Sequence, residues 1–175
     1  MHIDELETPV PVVDIDRMEA NIARLQTYLD EHKIANRPHI KTHKIPAIAK
    51  MQMDAGAIGI TCQKVSEAEV MANAGFDDIF LPYNIIGEAK LNRLMALAAR
   101  INISVTADSG FTVRGLSNAA MLADLNLTVL IECDTGGGRC GVQSPPEAAE
   151  LARLIGNLPN LHFGGLMTYP SNENL

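Results

Sequence analysis

The stretch ISVTADSGFTVRGLSNAAMLADLNLTVLIEC, residues 103–133, decides the fold of this chain. It predicts a short strand over residues 103–107, a helix over 112–122 and a second strand over 127–133. The second strand is apolar at almost every position, which is typical of a parallel strand that is covered on both faces. A strand, a helix and a strand in this order make the basic unit of a parallel α/β sheet.

The same alternation runs along the rest of the chain. Further strands are predicted at residues 37–41, 57–62, 78–82 and 161–169, and further helices at 46–56, 66–74, 87–100 and 145–155. One more helix precedes them. It is predicted to begin at Asp16, with Glu19 completing a capping box, and to turn an apolar face inward through Met18, Ile22, Leu25 and Leu29.

Two architectures accommodate such alternation, an open doubly wound sheet and a (β/α)8 barrel. Polar residues end every predicted strand: Lys41, Gln63, Tyr83, Asn84, Asp108, Ser109, Asp134, Thr168 and Tyr169. A barrel gathers ligand contacts from the carboxyl ends of all its strands, whereas an open sheet concentrates them at one point. Because the first strand is also not followed by G-x-G-x-x-G, we predict a (β/α)8 barrel of the TIM type.

The number of units falls short of that architecture. The chain supplies about six strand–helix units, whereas a closed barrel needs eight. An open barrel wall would leave two strand edges without partners. We therefore expect residues 1–175 to form one domain that is part of a barrel, completed by a longer chain or by a second chain.

Composition excludes several classes of function. The formal net charge is −7, with 47% hydrophobic and 20% charged residues, which argues against nucleic acid or an anionic membrane as the main partner. No apolar run is long enough to span a bilayer, and the acidic N-terminus lacks the apolar core of an export signal. We expect a cytoplasmic protein, whose three cysteines are reduced thiols.

Residues 37–44, RPHIKTHK, are the first segment that carries chemistry. Lys41 ends a predicted strand and is flanked by the basic residues Arg37, His39, His43 and Lys44. Like charges and burial both favour a neutral amine, and a neutral lysine attacks carbonyl groups to form a Schiff base. The alternative is a solvated basic rim, or one that binds a phosphate. The spacing of His39 and His43 suits a metal site only on a helix, so we assign them no metal.

Two glycine-containing segments follow later strands. Residues 134–141, DTGGGRCG, would let the backbone approach a ligand and would present Arg139. The alternative is a flexible loop with a surface arginine, and because glycine-rich loops are common the segment alone is a weak indication of a ligand site. Residues 164–169, GGLMTY, end in Tyr169, which either faces a ligand or caps the core.

Together these three segments resemble the family of D-threonine aldolases and D-serine dehydratases, whose N-terminal domain is similar to that of alanine racemase. The resemblance covers essentially the whole chain. It implies pyridoxal 5'-phosphate as cofactor, bound through a Schiff base to Lys41. It implies that Arg139 contacts the phenolic oxygen of the cofactor and that Tyr169 lies beside it, and His39 is a further candidate for cofactor contact.

The activity implied is that of a lyase acting on a D-amino acid with a β-hydroxyl group, with retro-aldol cleavage of the D-threonine aldolase kind favoured. D-serine dehydratase, a non-catalytic carrier of pyridoxal phosphate and a phosphate-binding barrel enzyme without a Schiff base are the alternatives. The resemblance also implies a homodimer, and a divalent metal in the full-length protein. Its ligands belong to a C-terminal β domain that is not present here, so no metal residue is assigned.

Two departures from the family pattern stand out. Pro170, Ser171 and Asn172 follow Tyr169, where family members often have a Gly-His pair, which puts the usual catalytic histidine in doubt. Family members are also roughly twice this length, in line with the shortage of strands relative to a closed barrel.

Overall fold

The computed structural model describes residues 2–169, and this part of the chain contains the predicted alternation of helices and strands. The helices are α1 (Ile15–Glu31), α2 (Pro46–Asp54), α3 (Val65–Asn73), α4 (Glu88–Ala98), α5 (Gly110–Leu122) and α6 (Pro145–Asn157). The strands are β1 (Ile60–Thr61), β2 (Asp78–Asn84), β3 (Asn102–Ala107), β4 (Leu127–Cys133) and β5 (Leu161–Thr168). Two short 3-10 helices cover Ile3–Glu5 and Ile40–Thr42.

The strands form one parallel sheet in the order β1-β2-β3-β4-β5. Each strand therefore lies beside the next one in the chain, and the winding never reverses. A doubly wound sheet requires a reversal, whereas a barrel wall requires its absence. The order confirms the predicted barrel class, with five strands described instead of about six.

One face of the sheet packs against the helices and carries the hydrophobic core. Ile79, Leu81, Val105, Val129 and Ile131 are fully buried on this face. The helices cover them with buried side chains that include Leu94, Leu97, Val113, Leu116 and Ile155. Burying each such side chain contributes roughly 1.5–3 kcal/mol. Because side chains alternate along a strand, the intervening residues point to the opposite face, which is the interior of a barrel.

The strand predicted at residues 37–41 was wrong. The backbone there makes only one isolated parallel bridge, between His39 and Thr61, before it turns into the 3-10 helix Ile40–Thr42. Pro38 has no N–H and can only accept, which it does from the Thr61 N–H at 2.8 Å. The Nδ1 atom of His39 then accepts the Lys41 N–H at 3.3 Å, so a side-chain cap replaces the next ladder bond.

The predicted start and inward face of the first helix were also partly wrong. Asp14 caps α1 by accepting the Arg17 N–H at 3.0 Å, two residues before the predicted start. Leu25 is 51% exposed, whereas Gln26 is buried. The Gln26 side chain accepts from the Asn36 amide at 3.0 Å and donates to Asp30 at 2.8 Å. Hydrogen bonding explains why a polar residue takes the inward position.

The described part of the chain has no helix that combines the length and the apolar character needed to cross a membrane.

Candidate active site

A cavity of about 310 Å³ lies at the carboxyl ends of the strands, where barrels bind their ligands. The residues that line it come from segments far apart in the chain: His39, Lys41, Gln63, Pro82, Tyr83, Asn84, Ile86, Lys90, Glu132, Arg139, Cys140, Met167 and Tyr169. The four residues predicted from sequence to contact a cofactor, Lys41, Arg139, Tyr169 and His39, are all among them. The structure therefore brings together side chains that are up to 130 positions apart in sequence.

The 3-10 helix Ile40–Thr42 presents Lys41 to the cavity. Ile40 is fully buried in the core, which anchors the turn directly beside Lys41. The Lys41 side chain is half-buried, and its Nζ atom lies 5.5 Å from the centroid of the Tyr169 ring. Burial of Ile40 and the His39 cap thus hold the lysine backbone in place, while the amine stays accessible from the cavity.

Carboxylates neutralise two of the basic residues around Lys41. Arg37 pairs with Asp78 at 2.6 Å, and Lys44 pairs with the buried carboxylate of Glu67. The sequence prediction of a field of like charge around Lys41 is therefore wrong for these two neighbours. Within residues 2–169, neither Lys41 nor Arg139 has a carboxylate oxygen within 4.0 Å. Lys41 and Arg139 are consequently available to a ligand.

His39 and His43 act on the backbone. Burial, followed by the charge of Lys41, lowers the pKa of His39, so its imidazole is neutral at pH 7. Burial also lowers the pKa of His43, whose Nδ1 atom accepts the Ile45 N–H at 3.0 Å. Each ring therefore caps a turn through Nδ1.

The glycine-rich loop after β4 presents Arg139. Asp134 holds this loop by accepting backbone N–H groups from Gly136 at 3.0 Å, Gly137 at 2.8 Å and Gly138 at 3.2 Å. Desolvation acts in the opposite direction, but these donors outweigh it and lower the pKa of Asp134. The Arg139 Cζ atom lies 4.4 Å from the Tyr169 ring centroid, within the range of a cation–π contact.

Gly141 closes the base of the same loop. Its φ is +115°, and a Cβ atom at this position would lie 2.5 Å from the Asp134 nitrogen. A side chain would therefore clash with the backbone of the strand end. The close approach lets Val142 return to β4, where the Asp134 N–H donates to the Val142 carbonyl at 3.0 Å.

Sequence reasoning missed Glu132 as a site residue. Its side chain lines the cavity and is only 8% exposed. Burial, followed by the nearby charge of Asp108, raises the pKa of the Glu132 carboxyl. Glu132 is the only charged residue within the strand Leu127–Cys133, and this isolated charge is the sequence feature that could have identified it.

Asp108, Glu132 and Cys140 place their carboxylate oxygens and thiol within 4.8 Å of one another. Acidic groups often cluster without a metal. Burial, Asp108 and Asp134 raise the pKa of Glu132, and the cationic Arg139 lies near enough to oppose them. We assign no metal to this group.

A second cavity, of about 600 Å³, lies between α6 and the helix-facing side of β5. Ala148, Ala152, Phe163 and Leu166 line it, and none of the predicted site residues does. It is a groove in the packing of the wall, separate from the chemistry at the strand ends.

The model of the alanine racemase N-terminal domain matches residues 13–174. The chain belongs to this family, as the sequence resemblance predicted. A D-threonine aldolase from Arthrobacter sp is 42% identical over 164 residues, which is 94% of this chain and 43% of the relative. A 3-hydroxy-D-aspartate aldolase from Paracoccus denitrificans is 34% identical over 175 residues, covering 99% of this chain and 45% of the relative.

A third relative, the D-threo-3-hydroxyaspartate dehydratase of Delftia sp. (strain HT23), is 34% identical over 92% of this chain and 41% of its own length. Among solved structures, D-threonine aldolase from Filomicrobium marinum superposes with a TM-score of 0.91 at 38% identity, over 94% of this chain and 44% of that one. The chain thus spans less than half the length of these relatives.

Proposed function

We propose that this chain is the cofactor-binding part of a pyridoxal phosphate-dependent lyase that cleaves a D-amino acid with a β-hydroxyl group. One observation carries the proposal. The amine of Lys41 and the guanidinium of Arg139 lie 5.5 Å and 4.4 Å from the ring centroid of Tyr169, at the carboxyl ends of parallel strands. Relatives that are aldolases for D-threonine and 3-hydroxy-D-aspartate support the reaction class.

The residues of the cavity fit such a cofactor. Its volume of about 310 Å³ is at the lower end of the roughly 300–1,000 Å³ usual for small-ligand sites. An aldehyde requires a primary amine without a competing carboxylate, and Lys41 meets that condition among residues 2–169. An acidic ring oxygen requires a fixed donor, which the Arg139 guanidinium supplies.

When bound, pyridoxal phosphate supplies an electron sink for the bond that breaks at Cα. The chain's own residues hold and orient it. Lys41 provides the amine that attaches the ligand and can carry a proton at Nζ. Arg139 donates hydrogen bonds to an anionic oxygen, and the Tyr169 ring packs beside both cations. His39, which is neutral, caps the turn that carries Lys41 and forms part of the wall.

Retro-aldol cleavage is the favoured reaction. It removes the β-hydroxyl proton, breaks the Cα–Cβ bond and turns D-threonine into glycine and acetaldehyde. Dehydration is the second candidate, because a dehydratase is 34% identical over 92% of this chain. It would turn D-serine into pyruvate and ammonia. Identity to the Arthrobacter aldolase is higher, at 42%. The residue that takes the β-hydroxyl proton stays unassigned in this proposal.

We also propose a homodimer in the cytoplasm, and a divalent metal whose ligands lie outside residues 2–169. One solved structure is of a D-threo-3-hydroxyaspartate dehydratase variant in a metal-free form, which supports metal binding in relatives. The predicted departure at Pro170, Ser171 and Asn172 also lies outside the described residues.

The test compares absorbance spectra of the protein, at its full natural length, mixed with pyridoxal phosphate. The wild type and Lys90→Ala should both develop the absorption band of an imine, because Lys90 is an exposed amine in the same wall. Lys41→Ala should not develop it. An adduct that survives in Lys41→Ala and disappears in Lys90→Ala would overturn the assignment.

Product analysis then separates the two reactions. Acetaldehyde and glycine from D-threonine support the aldolase, whereas ammonia and a 2-oxo acid from D-serine or 3-hydroxy-D-aspartate support the dehydratase. A protein that binds the cofactor and turns over none of these substrates is a carrier.

A further inference from the structure

Glu132 is a buried carboxyl group with no role in the mechanism above. It belongs to the otherwise uncharged strand Leu127–Cys133, and 8% of its surface is exposed. It lines the same cavity as Lys41 and Arg139. Among residues 2–169, no donor makes a hydrogen bond to its carboxylate. A carboxyl group that lines a cavity and has no protein donor is available to a polar atom of a ligand in that cavity.

Asp108 lies beside it at the end of the neighbouring strand. The carboxylate oxygens of the two residues come within 4.8 Å of each other. Asp108 accepts the Gly141 N–H at 3.1 Å, whereas Glu132 accepts no hydrogen bond from residues 2–169. When two carboxyls lie this close, the more buried one with fewer donors is the one whose protonated form is favoured. In this pair that residue is Glu132, which is buried, whereas Asp108 is partly exposed.

We propose that Glu132 is a ligand-contacting residue that donates its carboxyl proton in a hydrogen bond to an acceptor atom of the ligand in this cavity. The acceptor is an oxygen or ring nitrogen with a free lone pair. This inference rests on the proposed function and adds to it a polar contact in the cavity that Lys41 and Arg139 also line.

Other charged and titratable groups line the cavity or lie close to Glu132. From the neighbouring elements these are His39, Lys41, Tyr83, Lys90, Asp108, Asp134, Arg139, Cys140 and Tyr169. Burial raises the pKa of Glu132 most, Asp108 and Asp134 raise it further, and Arg139 opposes them. The guanidinium of Arg139 rests on the Tyr169 ring and makes no ion pair with Glu132 within 4.0 Å.

The raised pKa of Glu132 determines how ligand binding should depend on pH. A raised pKa keeps Glu132 protonated over a wider range than an ordinary glutamate. Binding that uses the protonated form is complete below that pKa and is lost as the pH rises through it. In the competing arrangement, Glu132 is charged and pairs with Arg139 in the bound state. A neutral residue at position 132 would then weaken binding.

The experiment measures pyridoxal phosphate affinity by absorbance titration over a series of pH values, with the protein at its full natural length. Glutamine imitates a neutral glutamic acid, so Glu132→Gln should bind within about twofold of the wild type at low pH and lose the Glu132-dependent decline at higher pH. Glu132→Ala should bind about tenfold more weakly, as expected for one lost hydrogen bond. Glu150→Gln, at an exposed position of α6, is the matched control and should match the wild type.

A Glu132→Gln variant that binds as weakly as Glu132→Ala at every pH would overturn the proposal, because the group would then act as an anion. Asp108→Asn removes the neighbouring charge and should move the wild-type decline to lower pH. An unmoved profile would also count against the pair.

Infrared difference spectra of the protein without ligand give a second, separate readout. The band of a protonated carboxyl should titrate above the range of an ordinary glutamate and be absent from Glu132→Gln. Its absence from the wild type would overturn the protonation of Glu132. A wild type that forms no adduct with pyridoxal phosphate would instead reject the proposed function, so the two failures are distinguishable.

Discussion

The two segments that bring a cation to Tyr169 are built differently. The 3-10 helix Ile40–Thr42, which carries Lys41, is fastened to the core by the fully buried Ile40 and by the pair of Lys44 with buried Glu67. The loop of residues 134–141, which carries Arg139, is exposed and held mainly by hydrogen bonds to the single carboxylate of Asp134.

This difference separates global stability from ligand affinity. Substitutions in the lysine segment should lower the free energy of unfolding, because they disturb a buried side chain or a buried charge. Substitutions in the arginine loop should lower the affinity for the ligand and have little effect on stability, because few buried contacts depend on the loop. The amine that we propose to attach the cofactor thus lies on the segment with more buried contacts.

The largest effect is expected from Ile40→Ala. Removing a fully buried isoleucine leaves a cavity and should cost about 3 kcal/mol of unfolding free energy. Ile45→Ala in the same segment is the control, since Ile45 is 42% exposed and its loss should cost about 0.5 kcal/mol or less. Urea unfolding measures both, and equal effects of the two substitutions would contradict the anchoring role of Ile40.

Glu67→Ala should have the second largest effect, about 2 kcal/mol, because it leaves Lys44 without its partner and the Gln63 N–H without an acceptor. Glu69→Ala is the matched control on the same helix. Glu69 pairs with Arg93 at the surface, so its loss should cost less than about 0.5 kcal/mol. Comparable losses in the two variants would mean that the pair of Lys44 with Glu67 does not stabilise the lysine segment.

Asp134→Ala should lower stability by less than about 1 kcal/mol, because its carboxylate and the N–H groups that it accepts are exposed to water. Affinity for pyridoxal phosphate should nevertheless fall about tenfold, as Arg139 loses its fixed position. Asp134→Asn keeps one acceptor oxygen and should recover part of that affinity. A large loss of stability in Asp134→Ala would remove the contrast between the two segments.

The smallest effect concerns the histidine caps. The pKa values of His39 and His43 are lowered by burial, so the folded state binds fewer protons there than the unfolded chain. Their contribution to stability is complete above the unfolded value of about 6.5 and is lost as the pH falls below it. Urea unfolding at several pH values should show a smaller decline in His39→Gln than in the wild type. A steeper decline in that variant would contradict the neutral cap.

Much of this arrangement could be predicted from the sequence. Polar residues at successive strand ends indicated a barrel, and the strand order is consistent with it because neighbouring strands follow one another in the chain. The same reasoning expected Lys41, Arg139 and Tyr169 to meet, and they line one cavity. Their roles as cofactor contacts stay predictions.

Other features depend on contacts that a linear pattern does not contain. Pro38 and His39 were predicted to lie in a strand. The strand pairing ends there because Pro38 has no N–H and the His39 side chain accepts the next backbone N–H. Lys44 was predicted to place a like charge beside Lys41. Glu67, which is far from Lys44 in sequence, pairs with Lys44 and neutralises its charge. Glu132 was not predicted as a site residue because its strand is apolar at almost every other position. Its side chain nevertheless lines the cavity.

The most direct test of the central claim is to locate the covalent bond. The protein at its full natural length would be incubated with pyridoxal phosphate, reduced with borohydride, digested and mapped by peptide mass spectrometry. We expect a reduced pyridoxyl group on Lys41 alone. A modification found instead on Lys44 or Lys90, or spread evenly over exposed lysines, would contradict it.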